Sequence, residues 1–128
     1  MSKKPRVFII EDEPIMAECL ERSVRRAVGA EIQAFPNAIF AMSALNEHLP
    51  DLILLDVLLD GPDGFTFLNE LISYPDTAQI PIIIVSSLDL GRRDLSGYGV
   101  VETLHKDTMT PNEITAVVRQ ALSRNGNV

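Results

Sequence analysis

The feature that most limits how this chain can fold is a set of short runs built only from apolar residues. Residues 7–10, 52–55 and 82–85 read VFII, LILL and IIIV. Each run is too short for a helix, and two of them are rich in β-branched residues. Strands without polar positions are buried on both faces, as in a parallel sheet covered by helices on each side. Residues 31–35 and 100–104 are weaker strand candidates.

Helical patterns fill the intervals between these runs. The first helix is predicted to begin at Pro14, since proline suits the first turn, and to stop at Gly29. Apolar residues at helical spacing predict a second helix over 38–49 and a third over 65–72. The last helix is predicted to open with the capping box Thr-Pro-Asn-Glu at 110–113.

The interval between the fourth and fifth strands differs from the others. It holds three of the seven glycines, Gly91, Gly97 and Gly99. Glycine disfavours the helical state, so any helix here is expected to be short or loosely formed.

Strands that alternate with helices predict an α/β fold with a parallel sheet. Because crossovers are right-handed, few topologies remain, and the flavodoxin-like order 2-1-3-4-5 is the commonest for five units. We therefore predict a (βα)5 three-layer sandwich. The chain is expected to form a single domain over residues 1–128, with its core at about 6–124.

Polar residues stand where four of the predicted strands end. Ligands of such sheets bind beyond the carboxyl ends of the strands, at the switch point between strands one and three. The residues that follow strands one, three, four and five are, in that order, Glu11-Asp12-Glu13, Asp56, Ser86 and Lys106. The chain is thus predicted to gather carboxylates, a hydroxyl and an ammonium group at one edge.

Carboxylates that are brought together repel one another, and a divalent cation removes that penalty. A cluster of carboxylate oxygens without His or Cys ligands favours a hard ion such as Mg²⁺. A metal ion beside a lysine can neutralise phosphoryl oxygens, and an aspartate can itself attack phosphorus to form an acyl phosphate. A magnesium-dependent phosphoryl site is therefore predicted.

Charge and composition narrow the range of partners. The formal net charge of −7 with scattered basic residues argues against nucleic-acid binding, and no apolar run approaches the length that crosses a membrane. The lone cysteine, Cys19, cannot form an internal disulfide, so a cytoplasmic location is expected. A monomer or weak dimer is expected.

Four motifs occur in order along the chain: VFIIEDE at 7–13, LILLDVLLDGPDG at 52–64, PIIIVSS at 81–87 and the lysine of LHK at 104–106. In these motifs the sequence resembles the receiver domains of bacterial two-component response regulators, over about residues 6–124. The resemblance implies that Asp56 accepts a phosphoryl group from a histidine kinase or phosphotransfer protein, and that the chain is a signalling domain and not an enzyme.

The same resemblance assigns the other roles. Glu11 and Asp12 match the acidic pair that holds Mg²⁺, or Mn²⁺ in its place, and the backbone carbonyl of Leu58 matches a further metal ligand. Ser86 matches the residue that hydrogen-bonds the phosphoryl group, and Lys106 matches its ion-pair partner.

The sequence departs from the family pattern at several positions. Asp107 stands where a proline usually follows the lysine, and Thr103 stands where an aromatic residue usually changes rotamer, unless Tyr98 or His105 takes that role. In the family that the chain resembles, the residues two past the acceptor and two past the Ser/Thr influence how water attacks the phosphoryl group. Here these positions are Leu58 and Leu88, whose apolar side chains cannot orient a water molecule. We therefore predict slow self-dephosphorylation.

Three other functions compete with the phosphorylated switch. A pseudo-receiver would be an interaction module that no longer cycles phosphate. A metal-dependent phosphohydrolase would need a substrate cap, which this short chain lacks. A flavin binder would need a Ser-, Thr- or Gly-rich phosphate loop after the first strand, where this chain has carboxylates. No effector domain is recognisable after the last helix, so the output is expected to be contact with an unidentified downstream protein.

Overall fold

The strands form one five-stranded parallel sheet. The computed structural model describes residues 4–57, 64–87 and 95–124. The strands are β1 (Arg6–Ile10), β2 (Glu31–Phe35), β3 (Leu52–Leu55), β4 (Ile82–Ser86) and β5 (Val100–His105), in the order β2-β1-β3-β4-β5. The predicted flavodoxin-like order is confirmed.

Helices connect these strands. They are α1 (Pro14–Ala27), α2 (Ala38–Leu45), α3 (Gly64–Ile72), the single turn α4 (Pro75–Ala78) and α5 (Pro111–Arg124). Between β4 and β5 the described residues contain a 3₁₀ turn over Ser96–Tyr98. Residues 88–94 of that interval lie outside the described residues. The short turn α4 had no counterpart in the predicted elements.

Helix α2 is shorter than its apolar pattern predicted. It ends at Leu45, and the backbone N–H groups of Glu47 and His48 both donate to Ala44 O at 3.0 Å. Pro50 disfavours helical backbone at Leu49, the residue before it. Leu49 is consequently 43% exposed and does not continue the buried face of the helix.

The core consists of two clusters, one on each side of the sheet. Alternate residues of the central strands point to opposite faces, so β1, β3 and β4 contribute to both clusters. One cluster packs beneath α2 and α3, and the other beneath α1 and α5. The three-layer sandwich is therefore confirmed. The edge strands β2 and β5 are more exposed, which explains their weaker apolar signal.

Helix α5 is fixed at its start and along its length. The predicted capping box is present, since Glu113 N donates to Thr110 Oγ1 at 3.1 Å and Thr110 N donates to Glu113 Oε1 at 3.3 Å. Farther along, Arg119 Nε donates to the carbonyl of Ala27 at 3.0 Å. The contact of Arg119 holds α5 against the end of α1.

Candidate functional site

The candidate site lies at the carboxyl edge of the sheet, above β1 and β3. The backbone N–H of Glu11, just past β1, donates to Phe35 O at 3.0 Å. The backbone N–H of Asp56, just past β3, donates to Ile10 O at 3.0 Å. The sheet hydrogen bonding thus extends one residue beyond the strands, and this fixes the backbone of both acidic residues.

Three of the predicted residues form an acidic cluster. Glu11, Asp12 and Asp56 each offer a carboxylate oxygen, and these oxygens lie within 4.8 Å of one another. Glu11 and Asp56 are each 3% exposed, whereas Asp12 is exposed to solvent. The cluster therefore has two buried members and one member at the surface.

Lys106 contacts two members of this cluster, Glu11 and Asp56, and also Glu13. Its Nζ is 2.9 Å from Asp56 Oδ2, 2.8 Å from Glu11 Oε1 and 3.3 Å from Glu13 Oε1. The side chain is 10% exposed. Its backbone N–H donates to Ser86 O at 2.9 Å, which joins the ends of β4 and β5. Ser86 itself is fully buried at the end of β4.

The loop after Lys106 is held without the proline that is usual in the family. Asp107 N donates to the ring Nδ1 of His105 at 3.1 Å. The carbonyl of His105 accepts from Thr108 N at 3.1 Å and from Met109 N at 2.8 Å. His105 therefore closes the turn that positions the lysine, and the described residues contain no cis peptide bond.

Burial changes the acidity of Glu11. Desolvation raises its pKa from 4.5 to about 7, and the nearby charge of Asp56 acts in the same direction. The nearby ammonium group of Lys106 and a hydrogen bond from the backbone N–H of Glu13 oppose this rise without cancelling it. A buried carboxyl with such a pKa exchanges its proton near neutral pH.

The pKa of Lys106 is raised as well, which for an ammonium group favours the charged form. Burial alone would lower the pKa of its ammonium group, but the contacts with Glu11 and Asp56 outweigh burial and raise the pKa above its ordinary value. The lysine therefore stays charged throughout the physiological range.

The donor set fits a hard divalent cation. Among the described residues, Glu11 Oε1 is buried and has no hydrogen bond of good geometry, although Lys106 Nζ lies 2.8 Å away at a poor angle. A buried oxygen with an incomplete set of partners is suited to coordinate a metal ion. The three carboxylates supply only oxygen ligands, which Mg²⁺ and Mn²⁺ accept.

One contact of the site was not predicted. Glu13 was considered only as part of the acidic turn after the first strand, yet its side chain reaches Lys106. The side chain is 66% exposed, so no apolar pattern marks it. The signal in the sequence is its position two residues after Glu11. In the structure this spacing lets Glu13 N donate to Glu11 Oε2 at 3.1 Å.

Several predicted features are not tested by this geometry. Leu58, with its predicted carbonyl ligand, and Leu88 lie outside the described residues. Thr103 is exposed on β5, and Tyr98 packs partly buried against the cluster beneath α2 and α3. The slow self-dephosphorylation and the substitute for the aromatic switch therefore stay predictions.

Comparison with known proteins identifies the family. The family model for the response regulator receiver domain matches residues 7–119. The DNA-binding dual master transcriptional regulator RpaA of Synechocystis sp. is 29% identical over 126 residues, which are 97% of this chain and 52% of that protein. Response regulator Rre1 of the same organism is 23% identical over 97% of this chain and 54% of its own length. The chain thus spans about half the length of these curated relatives.

Solved structures agree with the fold. The signal receiver domain of a signal transduction histidine kinase from Syntrophus aciditrophicus has a TM-score of 0.82 and 27% identity, covering 97% of this chain and 94% of that chain. The Mn²⁺-bound form of response regulator Rcp1 has a TM-score of 0.74 and 20% identity, covering 93% and 92%, and shows likeness of fold alone.

The described residues include no helix that combines the length and the apolar character needed to cross a membrane.

The sheet order, the acidic cluster beside Lys106 and the family match agree with one another. This chain belongs to the response regulator receiver domain family.

Proposed function

We propose that this receiver domain is a phosphorylation-controlled switch in which Asp56 accepts a phosphoryl group in a Mg²⁺-dependent reaction. The observation that carries the proposal is the contact of Lys106 Nζ with Asp56 Oδ2 at 2.9 Å, next to the carboxylates of Glu11 and Asp12. A buried aspartate beside a fixed ammonium group and two further carboxylates is suited to accept a phosphoryl group and to bind the cation that accompanies it.

The donor in this proposal is a phosphohistidine of a sensor histidine kinase or a phosphotransfer protein. A carboxylate oxygen of Asp56 attacks the phosphorus atom and forms a new P–O bond. The P–N bond breaks, its electron pair returns to the imidazole nitrogen, and that nitrogen takes up a proton from solvent. The product is an acyl phosphate on Asp56 and a neutral histidine.

Residues around Asp56 orient the phosphoryl group. The Lys106 ammonium, which contacts Asp56 in the unmodified protein, would pair with a phosphoryl oxygen, and Ser86 would donate its hydroxyl proton to another. Mg²⁺, or Mn²⁺ in its place, would be held by Glu11, Asp12 and Asp56 and would supply charge neutralisation of the transferring group. The carbonyl of Leu58 is proposed as a further ligand from the family resemblance.

The proposed partners follow from this chemistry. The phosphoryl donor is a histidine kinase or phosphotransfer protein, and the phosphorylated surface contacts an unidentified downstream protein. Within this proposal the chain acts in the cytoplasm as a monomer or weak dimer. The added charge on Asp56 biases a two-state surface, as phosphorylation does in other switches.

Mass spectrometry of the intact protein after treatment with acetyl phosphate and Mg²⁺ tests the proposal. We expect the mass of one added phosphoryl group, no addition when EDTA replaces Mg²⁺, and no addition in Asp56→Asn. Asp76→Asn is the matched control, since Asp76 is exposed in α4, which precedes β4 and so lies away from the carboxyl edge. Absence of addition to the unaltered protein would favour the pseudo-receiver, and addition that survives Asp56→Asn would refute Asp56 as acceptor.

A further inference from the structure

A groove runs between α2 and the segment formed by α3 and α4. It has a volume of about 800 Å³. Its apolar lining includes Ile39, which is 58% exposed, Leu49, which is 43% exposed, and Tyr74, which is 57% exposed. A smaller pocket of about 160 Å³ shares Ile39 and Met42 with it and continues the surface along α2. Large apolar side chains at this exposure are typical of an interaction surface.

This surface, which we call the α2–α3 groove, is separate from the phosphoryl site. Glu11, Asp56 and Lys106 stand at the carboxyl edge of the sheet, and none of them lines the groove. The groove lies on the helical layer above one face of the sheet, whereas α1 and α5 cover the other face. The candidate phosphoryl chemistry therefore does not account for its exposed apolar residues.

The charge of the groove has one sign. The acidic side chains that line it are Glu47, Glu70 and Asp76, and the lining also includes the imidazole of His48. Within the part of the chain that the structure describes, none of the three is in an ion pair. The sequence contains no Lys or Arg anywhere from residue 27 to residue 91, so α2, α3 and α4 carry no Lys or Arg of their own to neutralise them. The groove thus combines an apolar floor with unpaired negative charge.

We propose that the α2–α3 groove binds a basic amphipathic helix of a partner protein. Apolar side chains at helical spacing would enter the groove beside Ile39 and Tyr74, and Lys or Arg side chains would face Glu47 and Glu70. The groove is lined by helices and their connections, so it offers no strand edge to an extended peptide. Helix α2 has eight residues and is about 12 Å long, which matches two turns of a bound helix.

A second copy of this chain fits the groove less well. A symmetric contact would place acidic groove against acidic groove, which is unfavourable. Two exposed arginines of α1 are already engaged, since Arg22 pairs with Glu18 and Arg25 pairs with Glu21, whereas Arg26 is exposed and in no ion pair among the described residues. The charge pattern therefore favours a different protein that brings its own cations.

Selection from a displayed library of helical peptides, in which each position is drawn from acidic, basic and apolar residues, tests the proposal on the unphosphorylated protein. We expect the enriched peptides to carry Lys or Arg on one face and apolar residues on the other. When these peptides bind, the changes in the protein's amide chemical shifts should centre on α2, α3 and α4. Peptides without basic residues, perturbations centred elsewhere, or no enrichment above background would overturn the proposal.

Matched variants separate specific binding from general attraction to an acidic protein. Glu70→Lys should weaken the selected peptide about tenfold, because it replaces attraction with repulsion. Glu18→Lys makes the same change of net charge on α1 and should have little effect. Ile39→Ser should weaken binding, while Ile15→Ser, at a residue that is 85% exposed, should not. Equal losses in each pair would refute the groove as the site.

Sedimentation of the free protein covers self-association. We expect the mass to stay that of one chain at the concentrations used for the peptide measurements. A dimer that Ile39→Ser dissociates and Ile15→Ser leaves intact would replace the proposed partner helix with a second copy. None of these measurements uses phosphorylation, so their outcome is independent of the test on Asp56.

Discussion

At the scale of single residues, Lys106 neutralises a site that would otherwise hold several uncompensated carboxylates. It contacts Glu11, Glu13 and Asp56, two of which are almost fully buried. A divalent cation bound to the same carboxylates would perform the same neutralisation. The lysine and a bound cation would thus be partly interchangeable in the folding of this edge.

We therefore expect Lys106→Met to destabilise the metal-free protein by about 3 kcal/mol, because removal of one partner leaves buried charge unpaired. Addition of Mg²⁺ should restore more stability to this variant than to the unaltered protein. Urea unfolding in EDTA and in Mg²⁺ measures both effects. A loss of stability that is the same with and without Mg²⁺ would contradict the interchange.

The raised pKa of Glu11 predicts a pH dependence. In the metal-free folded protein the pKa of this carboxyl is raised to about 7, whereas the ordinary pKa of a glutamate is 4.5. The folded state therefore binds more protons than the unfolded state between these values, and its stability should fall as pH rises from 4.5 to 7. Mg²⁺ requires the ionised carboxylate, so its affinity should rise over the upper part of the same window.

Calorimetric titration of Mg²⁺ from pH 6 to pH 8 checks this, since proton release should accompany metal binding at the lower pH and fade at the higher one, roughly one unit on either side of the transition. Glu11→Gln supplies the control, because it removes the titrating carboxyl. The assignment of this titration to Glu11 fails if Mg²⁺ binding to that variant keeps the same pH dependence as binding to the unaltered protein.

Glu11, Asp56 and Ser86 were predictable because each one directly follows an apolar run, whereas Lys106 follows the weaker strand β5. Burial on both faces marked β1, β3 and β4, and the first polar residue after a buried strand must lie at the carboxyl edge. Glu13 could not be assigned in this way. Its contact depends on the direction taken by the Lys106 side chain across the cluster, and local sequence does not encode that direction.

At the scale of elements, the start of α3 depends on a close contact between two backbones. Gly64 N lies 3.3 Å from Val57 O and donates to it. A Cβ at position 64 would come within 2.5 Å of Val57 Cα. Any side chain there must push apart the two ends of the segment that contains Leu58, the predicted source of a metal ligand.

Gly64→Ala should therefore destabilise the fold by about 1–3 kcal/mol, as overpacking does in a close-packed interior, and should weaken Mg²⁺ binding. Gly29→Ala is a suitable control, because its Cβ would meet nothing within 4 Å. Thermal unfolding with and without Mg²⁺ measures both consequences. Equal stability of the two variants would show that the contact at Gly64 relaxes without cost.

Elements with strong periodic patterns were predicted well, and those set by tertiary context were not. Helices α1 and α5 match their predicted starts at Pro14 and Pro111. The end of α2 was misplaced because apolar Leu49 extends the helical pattern beyond the point where the chain turns toward Pro50. The turn α4 lacks apolar periodicity altogether, and it forms because the chain must return from α3 to β4.

At the scale of the whole molecule, the two core clusters share one sheet. Neighbouring residues of β1 alternate between them, so Val7 and Ile9 belong to one cluster and Phe8 and Ile10 to the other. Neither helical layer can lose its cluster without exposing one face of the same strands. We infer that the two layers unfold together.

Chemical unfolding should accordingly follow a single transition. Tyr74 and Tyr98 report by fluorescence on the layer of α2 and α3, without interference, since the chain has no tryptophan. Far-UV circular dichroism reports on all helices. The two signals are expected to give coincident midpoints. A tyrosine transition that precedes the loss of helix would show that this layer is an independent unit.

The absence of Lys and Arg from residues 27–91 also decides how the proposed phosphorylation of Asp56 can be located. Trypsin cleaves only after these residues, so one fragment spans 27–92. This fragment contains β2, β3, β4, the α2–α3 groove and Asp56. A label on that fragment cannot distinguish Asp56 from the other carboxylates within it. Proteases that cleave at acidic residues divide the same stretch near Asp51 and Glu70, and are the appropriate reagents for mapping the acceptor.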